Sequence, residues 1–311
     1  MASVKKAKVA QKTTPIAVSG DVVLVVGPSG KKLRVHSLFI ANASPVFNAM
    51  LGPNFAEGQQ LKKSGLTEVV LPDDDAEAME LILKVIHGCN DTVPEKLTPD
   101  ELVAVAVAAD KYDCVGSLTF AMQIWLSCMS MTDPENLWAV AMTALVFRRQ
   151  KAFAEATSAL ILNDAGSYLD GIRNYENLID PVLLLKIAAK MEEERNKLRM
   201  ALVMDIIGGE WQCDQHCKAK NRVSWFKGVI QRTGGFGQSA ISSTLHTLTD
   251  EASRNDARAG SYYYSASTSK SDLSDFFKSV SEKVNLRHER ESGLCLRCIQ
   301  TGESHQWHAS Q

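Results

Sequence analysis

GDVVLVVGPSGKKLRVHSLFIANASPVFNAML, residues 20–51, decides the fold. Residues 22–26 are a continuous β-branched and apolar run between Gly20-Asp21 and Gly27-Pro28. That composition predicts a strand buried on both faces or lying against a helix layer. Pro28-Ser29-Gly30 predicts a tight turn, because Pro presets φ and Gly accepts a positive one. Leu33-Arg34-Val35-His36 alternates apolar and polar, as a partly exposed second strand of a hairpin does. Residues 37–51 then switch to helical period, and Pro45 behind Ser44 opens a second short helix.

One alternative reading of this stretch fails on spacing. Val26-Gly27-Pro28-Ser29-Gly30-Lys31-Lys32 imitates a phosphate-binding loop after a strand. Such a loop needs Gly-x4-Gly-Lys-Ser/Thr, so that amides wrap the phosphates and the hydroxyl holds magnesium. Here the glycines stand two residues too close, Lys32 replaces the hydroxyl, and a strand follows where a helix is required.

Downstream, residues 54–67 read as a polar, glycine-containing loop and residues 68–71 as a strand. Asp74 or Asp75 caps a helix from about residue 76 to Gly88, with Glu77 placed as in a capping box and Gly88 as the C′ residue. Thr98-Pro99-Asp100-Glu101 is a strong helix start. Residues 102–109 also carry a period-2 run, but the capping box and the alanines decide for helix. Residues 116–128 form a further helix carrying Leu118, Phe120, Ile124 and Trp125.

These motifs together resemble the BTB (POZ) domain. The resemblance rests on Asp21-Val22, Val35-His36-Ser37, Ala43-Ser44-Pro45-Val46-Phe47, Glu68-Val69-Val70-Leu71-Pro72-Asp73 and Ala108-Ala109-Asp110-Lys111-Tyr112, in that order. It implies an α+β fold, short strands with a helix cluster, over residues 19–130. It also implies a protein–protein interaction module, not an enzyme, that forms homodimers. Asp21 is then implied at the dimer interface, with His36 grouped beside it. Read from the residues alone, Asp21 anchors a turn and His36 caps local backbone groups.

The remainder reads as an all-α C-terminal region. Residues 131–232 form a helical domain, with two helical patterns at 137–147 and 152–162 joined by a basic corner, Arg148–Lys151. A long helix follows at about 180–207; its polar middle predicts a span that packs at both ends and crosses solvent between them, or a coiled-coil partner surface. Residues 233–274 are Ser/Gly-rich and read as a flexible insertion; residues 275–311 hold a final helix and a Cys-x-x-Cys segment. Residues 1–18 read as a disordered basic tail without the apolar core of a signal peptide.

Composition narrows the chemistry. The 311 residues carry a net charge of −2, with 45% hydrophobic and 23% charged residues, as globular proteins do. Nothing in that balance favours nucleic acid or a membrane surface as partner. No nucleophile elbow, metalloprotease helix or dinucleotide fingerprint is present. Cys89, Cys114 and Cys128 read as reduced, buried small hydrophobes.

The other four cysteines come in pairs: Cys213-x-x-His216-Cys217 and Cys295-x-x-Cys298, trailed by His305 and His308. Two knuckles of two ligands each suit tetrahedral zinc. Cys213, Cys217, Cys295 and Cys298 are the preferred ligands, with His216 as substitute. Free thiols or a disulfide are the competing readings. Four protein ligands leave no position for water, so such zinc is structural. Some fungal BTB proteins look similar here, ending in Gly-Leu-Cys-x-x-Cys like residues 293–298.

The expected function is therefore self-association plus recruitment of a protein partner, as a substrate adaptor of a cullin-type ubiquitin ligase. The alternative is a transcription or chromatin regulator with a zinc-stabilised C-terminal region. The expected location is intracellular, in cytoplasm or nucleus.

Overall fold

A computed structural model describes residues 13–208, 241–259, 278–282 and 293–301. The chain divides into two compact units, Met1–Met129 and Ser130–Gln311.

In the first unit, β1 (Thr14–Pro15), β2 (Val22–Val26), β3 (Lys31–Val35) and β4 (Thr67–Leu71) form one sheet in the order β1-β3-β2-β4. β2 and β3 make the expected antiparallel hairpin, with Val22 opposite Val35 and Val26 opposite Lys31. β4 runs parallel to β2, and β1 parallel to β3. β1 places residues 14 and 15, part of the stretch read as a disordered tail, in the sheet.

Period-2 geometry divides the sheet into two faces. Val22, Leu24 and Val26 of β2, Leu33 and Val35 of β3, and Thr67, Val69 and Leu71 of β4 are all buried. Glu68 and Val70 point the other way and are exposed, and Lys32 reaches Glu68 at 2.6 Å on that open face. β2 lies against a helix layer, and on its other face Val23 is buried and Val25 half-buried, so both expectations for this strand are met in part.

That layer consists of α1 (Ser37–Ala43), α2 (Pro45–Met50), α3 (Ala56–Ser64), α4 (Ala76–Ile86), α5 (Pro99–Lys111) and α6 (Thr119–Ser127). Ile40, Phe47, Met79, Ile82, Leu83, Leu102, Val105 and Leu118 are buried core residues of this unit. The helix starts follow the capping signals. Ser44 accepts the Phe47 amide at 3.0 Å, and Thr98 and Glu101 form a reciprocal capping box.

Three expectations are corrected here. Residues 54–67 are not a loop throughout, because α3 occupies Ala56–Ser64. Its sequence, AEGQQLKKS, is mostly good helix formers with Glu57 in the first turn and Lys62 and Lys63 in the last, complementing the dipole. Gly58 hides the pattern, yet it serves close approach: a Cβ there would lie 2.0 Å from the Gly52 carbonyl oxygen. Second, Asp75 is the cap of α4, so Glu77 belongs to no capping box and pairs with Lys31 at 3.1 Å. Third, the predicted helix over 116–128 begins as a 3-10 turn, Val115–Leu118, ahead of α6.

Asp74, relieved of capping, ties the helix layer together. Its carboxylate accepts from Lys111 Nζ at 2.7 Å and from the Tyr112 hydroxyl at 2.8 Å. The Tyr112 ring stacks on Phe47 at 4.5 Å, and the Ser44 hydroxyl donates to the Tyr112 carbonyl. One knot thus joins the α1–α2 corner, the approach to α4 and the end of α5.

The second unit is helical among the described residues. α7 (Pro134–Val146) and α8 (Gln150–Asn163) pair closely around the basic corner. α7 is buried at every position from Leu137 to Leu145, the signature of a central helix. α9 (Tyr168–Ile172) leads into α10 (Pro181–Gly208).

The expectation that α10 crosses solvent in its middle is corrected. Leu184, Ile187, Ala188, Met191, Arg195, Leu198 and Leu202 are all buried, so one buried line runs through the polar segment. Arg195 bridges it. Its guanidinium lies 4.1 Å from the Tyr168 ring centroid, donates to the Gly166 carbonyl at 2.8 Å and pairs with Glu192.

Part of the stretch read as a flexible insertion, residues 233–274, is also corrected. Ile241–Ala259 is a helix with Ile241, Thr244, Leu245 and Leu248 buried. Of the last predicted helix, residues 278–282 are described and are helical, with Val280 buried.

Candidate interaction surface

α1 begins with Ser37-Leu38-Phe39-Ile40. Three successive apolar residues on a helix span about 200° of its circumference, so one buried face does not absorb them all. Ile40 takes the core position, while Leu38 is 77% exposed and Phe39 48%. This adjacent apolar pair lies on a helix whose entrance is held in place by side chains.

The entrance is fixed from two sides. The Asp21 carboxylate accepts the Ser37 amide at 2.7 Å and the Ser37 hydroxyl at 2.6 Å. Burial alone would raise this carboxyl, but the Ser37 bonds outweigh it and hold it below the ordinary carboxylate range. From the other side, His87 Nε2 accepts the backbone amide of His36 at 3.0 Å. Arg34 Nε donates to the Gly20 carbonyl at 2.7 Å, bracing the loop that carries Asp21.

Asp21 is therefore an anchor at the root of α1, where the sequence reading had it anchor a turn. His36 differs from its reading: it occupies the N-cap position, but its ring makes no cap bond. The ring contacts the Ser19 hydroxyl at 3.2 Å, and the backbone of His36 is the capped party. Sequence reasoning missed His87. Its only signal was a polar, ring-bearing residue between an apolar helix and Gly88, which takes φ of 74°.

A second exposed apolar pair stands on α6. Phe120 is 80% and Ile124 51% exposed, one turn apart on the same face. The sequence reading grouped them with Leu118 and Trp125, which are buried. Among the other cysteines, Cys114 is buried with its thiol pushed up to about 12 by burial, Cys89 is half-buried, and Cys128 is exposed, contrary to the reading of all three as buried.

The sequence-predicted metal ligands divide. Cys213, His216 and Cys217 lie outside the described residues. Cys295 and Cys298 are described, both partly exposed, at the start of the helix Leu296–Thr301. Their segment is fastened to α8. Gln150 Oε1 accepts the Leu296 amide at 2.8 Å, and Thr157 Oγ1 accepts the Leu294 amide at 3.1 Å. Among the described residues, no group of three or more His, Cys, Asp or Glu is placed to hold a metal ion. No helix among them is long and apolar enough to cross a membrane.

Comparison with known proteins bears on the first unit. The BTB/POZ domain family profile matches residues 18–124. BTB/POZ domain-containing protein 6-B of Danio rerio is 30% identical over 122 residues, which are 36% of this chain and 23% of that protein. The chain thus matches less than a quarter of that relative's length. The strand order, the Asp21-anchored α1 and the Ser44–Asp74–Tyr112 knot are how this sequence builds the matched segment. Residues 18–124 are a BTB/POZ domain, a protein–protein interaction module, followed by a helical C-terminal region.

Proposed function

We propose that this chain is a non-catalytic adaptor. It self-associates through the α1 face and recruits a protein partner, as the substrate adaptor of a cullin-type ubiquitin ligase. The observation that carries the reading is the exposed pair Leu38 and Phe39 on a helix rooted by Asp21 and His87. Apolar side chains on a pre-ordered helix bind with little further loss of conformational freedom. The separate pair Phe120 and Ile124 supplies a second surface, so that self-association and recruitment need not compete.

Sedimentation velocity of the full chain tests the first half. The wild type is expected as a dimer. The double variant Leu38→Glu with Phe39→Glu is expected as a monomer with unchanged circular dichroism, and a monomeric wild type sinks the reading. Pull-down with purified cullin scaffolds tests the second half: Phe120→Glu with Ile124→Glu is expected to lose capture while remaining dimeric.

We also propose a structural zinc on Cys213, Cys217, Cys295 and Cys298. The fastening of residues 293–296 to α8 supports it, because it fixes one knuckle on a rigid helix. Elemental analysis is expected to give about one zinc per chain. A metal-free, fully folded chain overturns this assignment.

A further inference from the structure

His87 joins two helices through one ring. It follows the last residue of α4, and its Nδ1–H donates to the Leu83 carbonyl at 2.8 Å. Its Nε2 accepts the His36 amide, at the entrance of α1, at 3.0 Å. Only the neutral, Nδ1-protonated tautomer satisfies both bonds. The same ring packs against Phe39 at 5.1 Å between centroids, so it touches the exposed apolar pair as well as the root of α1.

We propose that His87 is a proton-operated latch on the entrance of α1, closed when neutral and open when protonated, and that it thereby regulates self-association through that face. The regulatory half rests on the self-association reading above; the latch itself does not.

A second proton adds a hydrogen to Nε2, where the His36 amide already points its own. Two donors then meet, and the acceptor that held α1 is gone. Among the described residues, no carboxylate forms an ion pair with this ring to compensate the new charge. His36 faces it from the β3–α1 junction, with ring centroids 6.4 Å apart, and repels it when charged. Asp21, from the start of β2, is engaged by Ser37, and Arg34 of β3 by the Gly20 carbonyl. α1 carries no ionisable side chain. On α4, Lys84 is held by Glu80 at 2.7 Å. Beyond the helix, the Cys89 thiol is directed at the Ile16 and His87 carbonyls.

The direction of the proton equilibrium agrees with this geometry. Burial lowers the His87 pKa below 6.5, the Leu83 carbonyl opposes in part, and His36 lowers it further. The closed form therefore resists the proton more than an exposed imidazole does, whose ordinary value is 6.5. The latch is fully closed above that value and is lost as pH falls below it. Mild intracellular acidification lies at the top of this window.

The test uses the full-length chain at about pH 7.5 and about pH 5.5. Sedimentation reads the dimer, and hydrogen exchange corrected for intrinsic rates reads residues 36–43. Acidification is expected to weaken the wild-type dimer roughly fivefold or more, with protection lost first over residues 36–43. His87→Gln keeps an acceptor without a titrating ring and is expected to flatten both responses. His36→Gln keeps the backbone donor and is expected to leave both responses in place, with the midpoint moved up because the repelling ring is gone.

A His87→Gln variant that still responds, a His36→Gln variant that does not, or a pH-indifferent wild type overturns the latch. A chain monomeric at both pH values that still loses protection over 36–43 keeps the latch and removes the self-association reading. Should His87→Gln fail to fold, the wild-type profile decides: a single-proton midpoint below 6.5 confined to 36–43 supports the latch, and uniform loss of protection removes it.

Discussion

The two units fasten their helices by different chemistry. The N-terminal unit aims short polar side chains at neighbouring backbone and at one another: Asp21 at Ser37, Ser44 at Phe47 and Tyr112, Asp74 at Tyr112, His87 at His36. The C-terminal unit, among its described residues, wraps an all-round apolar α7 and spends a single buried cation, Arg195, at the crossing of α9 and α10. Many short bonds spread the load and specify orientation. One long cation under an aromatic ring concentrates it. Substitutions in the second unit therefore fail steeply at one point, while the first unit loses stability in steps.

Arg195 is where the contrast breaks most visibly. Its side chain is 7% exposed, and it satisfies the carbonyls of Asp164 and Gly166 while covering the Tyr168 ring. Arg195→Ala removes donor, charge and packing together. The expected loss is about 2–3 kcal/mol, since a buried side chain goes together with its charge-assisted bonds and its packing on the Tyr168 ring. Chemical denaturation followed by circular dichroism measures it, with Trp138, at the T-shaped contact with Tyr168, among the tryptophans whose fluorescence changes. Arg195→Lys is expected to recover only part, because a single ammonium does not cover a ring and serve two carbonyls at once.

Tyr112→Phe is the matching break in the first unit. The ring and its stack on Phe47 survive, and only the bond to Asp74 is lost. Lys111 still reaches the Asp74 carboxylate at 2.7 Å, so the buried charge keeps one partner. The expected cost is about 1–2 kcal/mol, read as a lower melting temperature with unchanged self-association. A loss as large as that of Arg195→Ala would mean the knot is one cooperative device, and the contrast between the units would fall.

The same contrast explains what the sequence disclosed. Short polar bonds of the first unit act over three or four residues, so Ser44-Pro45 and Thr98-x-x-Glu101 are legible as caps. The bonds that matter most at the candidate surface act over 16 and 51 residues, Asp21 to Ser37 and His87 to His36. No periodicity carries them. Asp74 misled for the same reason: one residue before the true cap, it looked local and serves Tyr112 instead. Along α10, the polar residues 190–199 suggested solvent on all sides, because a charged residue scores as exposed until its partners are known. Arg195 lies on the buried line with Leu184, Met191 and Leu198, and the ring of Tyr168 that accepts it stands far back in sequence.

Exposed charges on the same helix mark the lower end of the scale. Glu193 reaches Lys190 at 2.8 Å and Lys197 at 2.6 Å, one turn to either side. These two ammonium groups hold its carboxyl at about 2, against an ordinary 4.5. A depressed carboxyl stabilises the fold above the ordinary value, and that contribution fades as pH falls from 4.5 towards 2. Water screens the group strongly, so the whole effect is expected at only a few tenths of a kcal/mol. Glu193→Gln should shift denaturation midpoints slightly at neutral pH and in low salt, and not at all in about 1 M salt. Arg195→Ala should respond little to that salt, since two carbonyls and a ring hold the guanidinium besides its one ion pair with Glu192. If instead Glu193→Gln rivals Arg195→Ala, α10 is held by its surface lattice of ion pairs, and the single buried cation is not the fastening of the second unit.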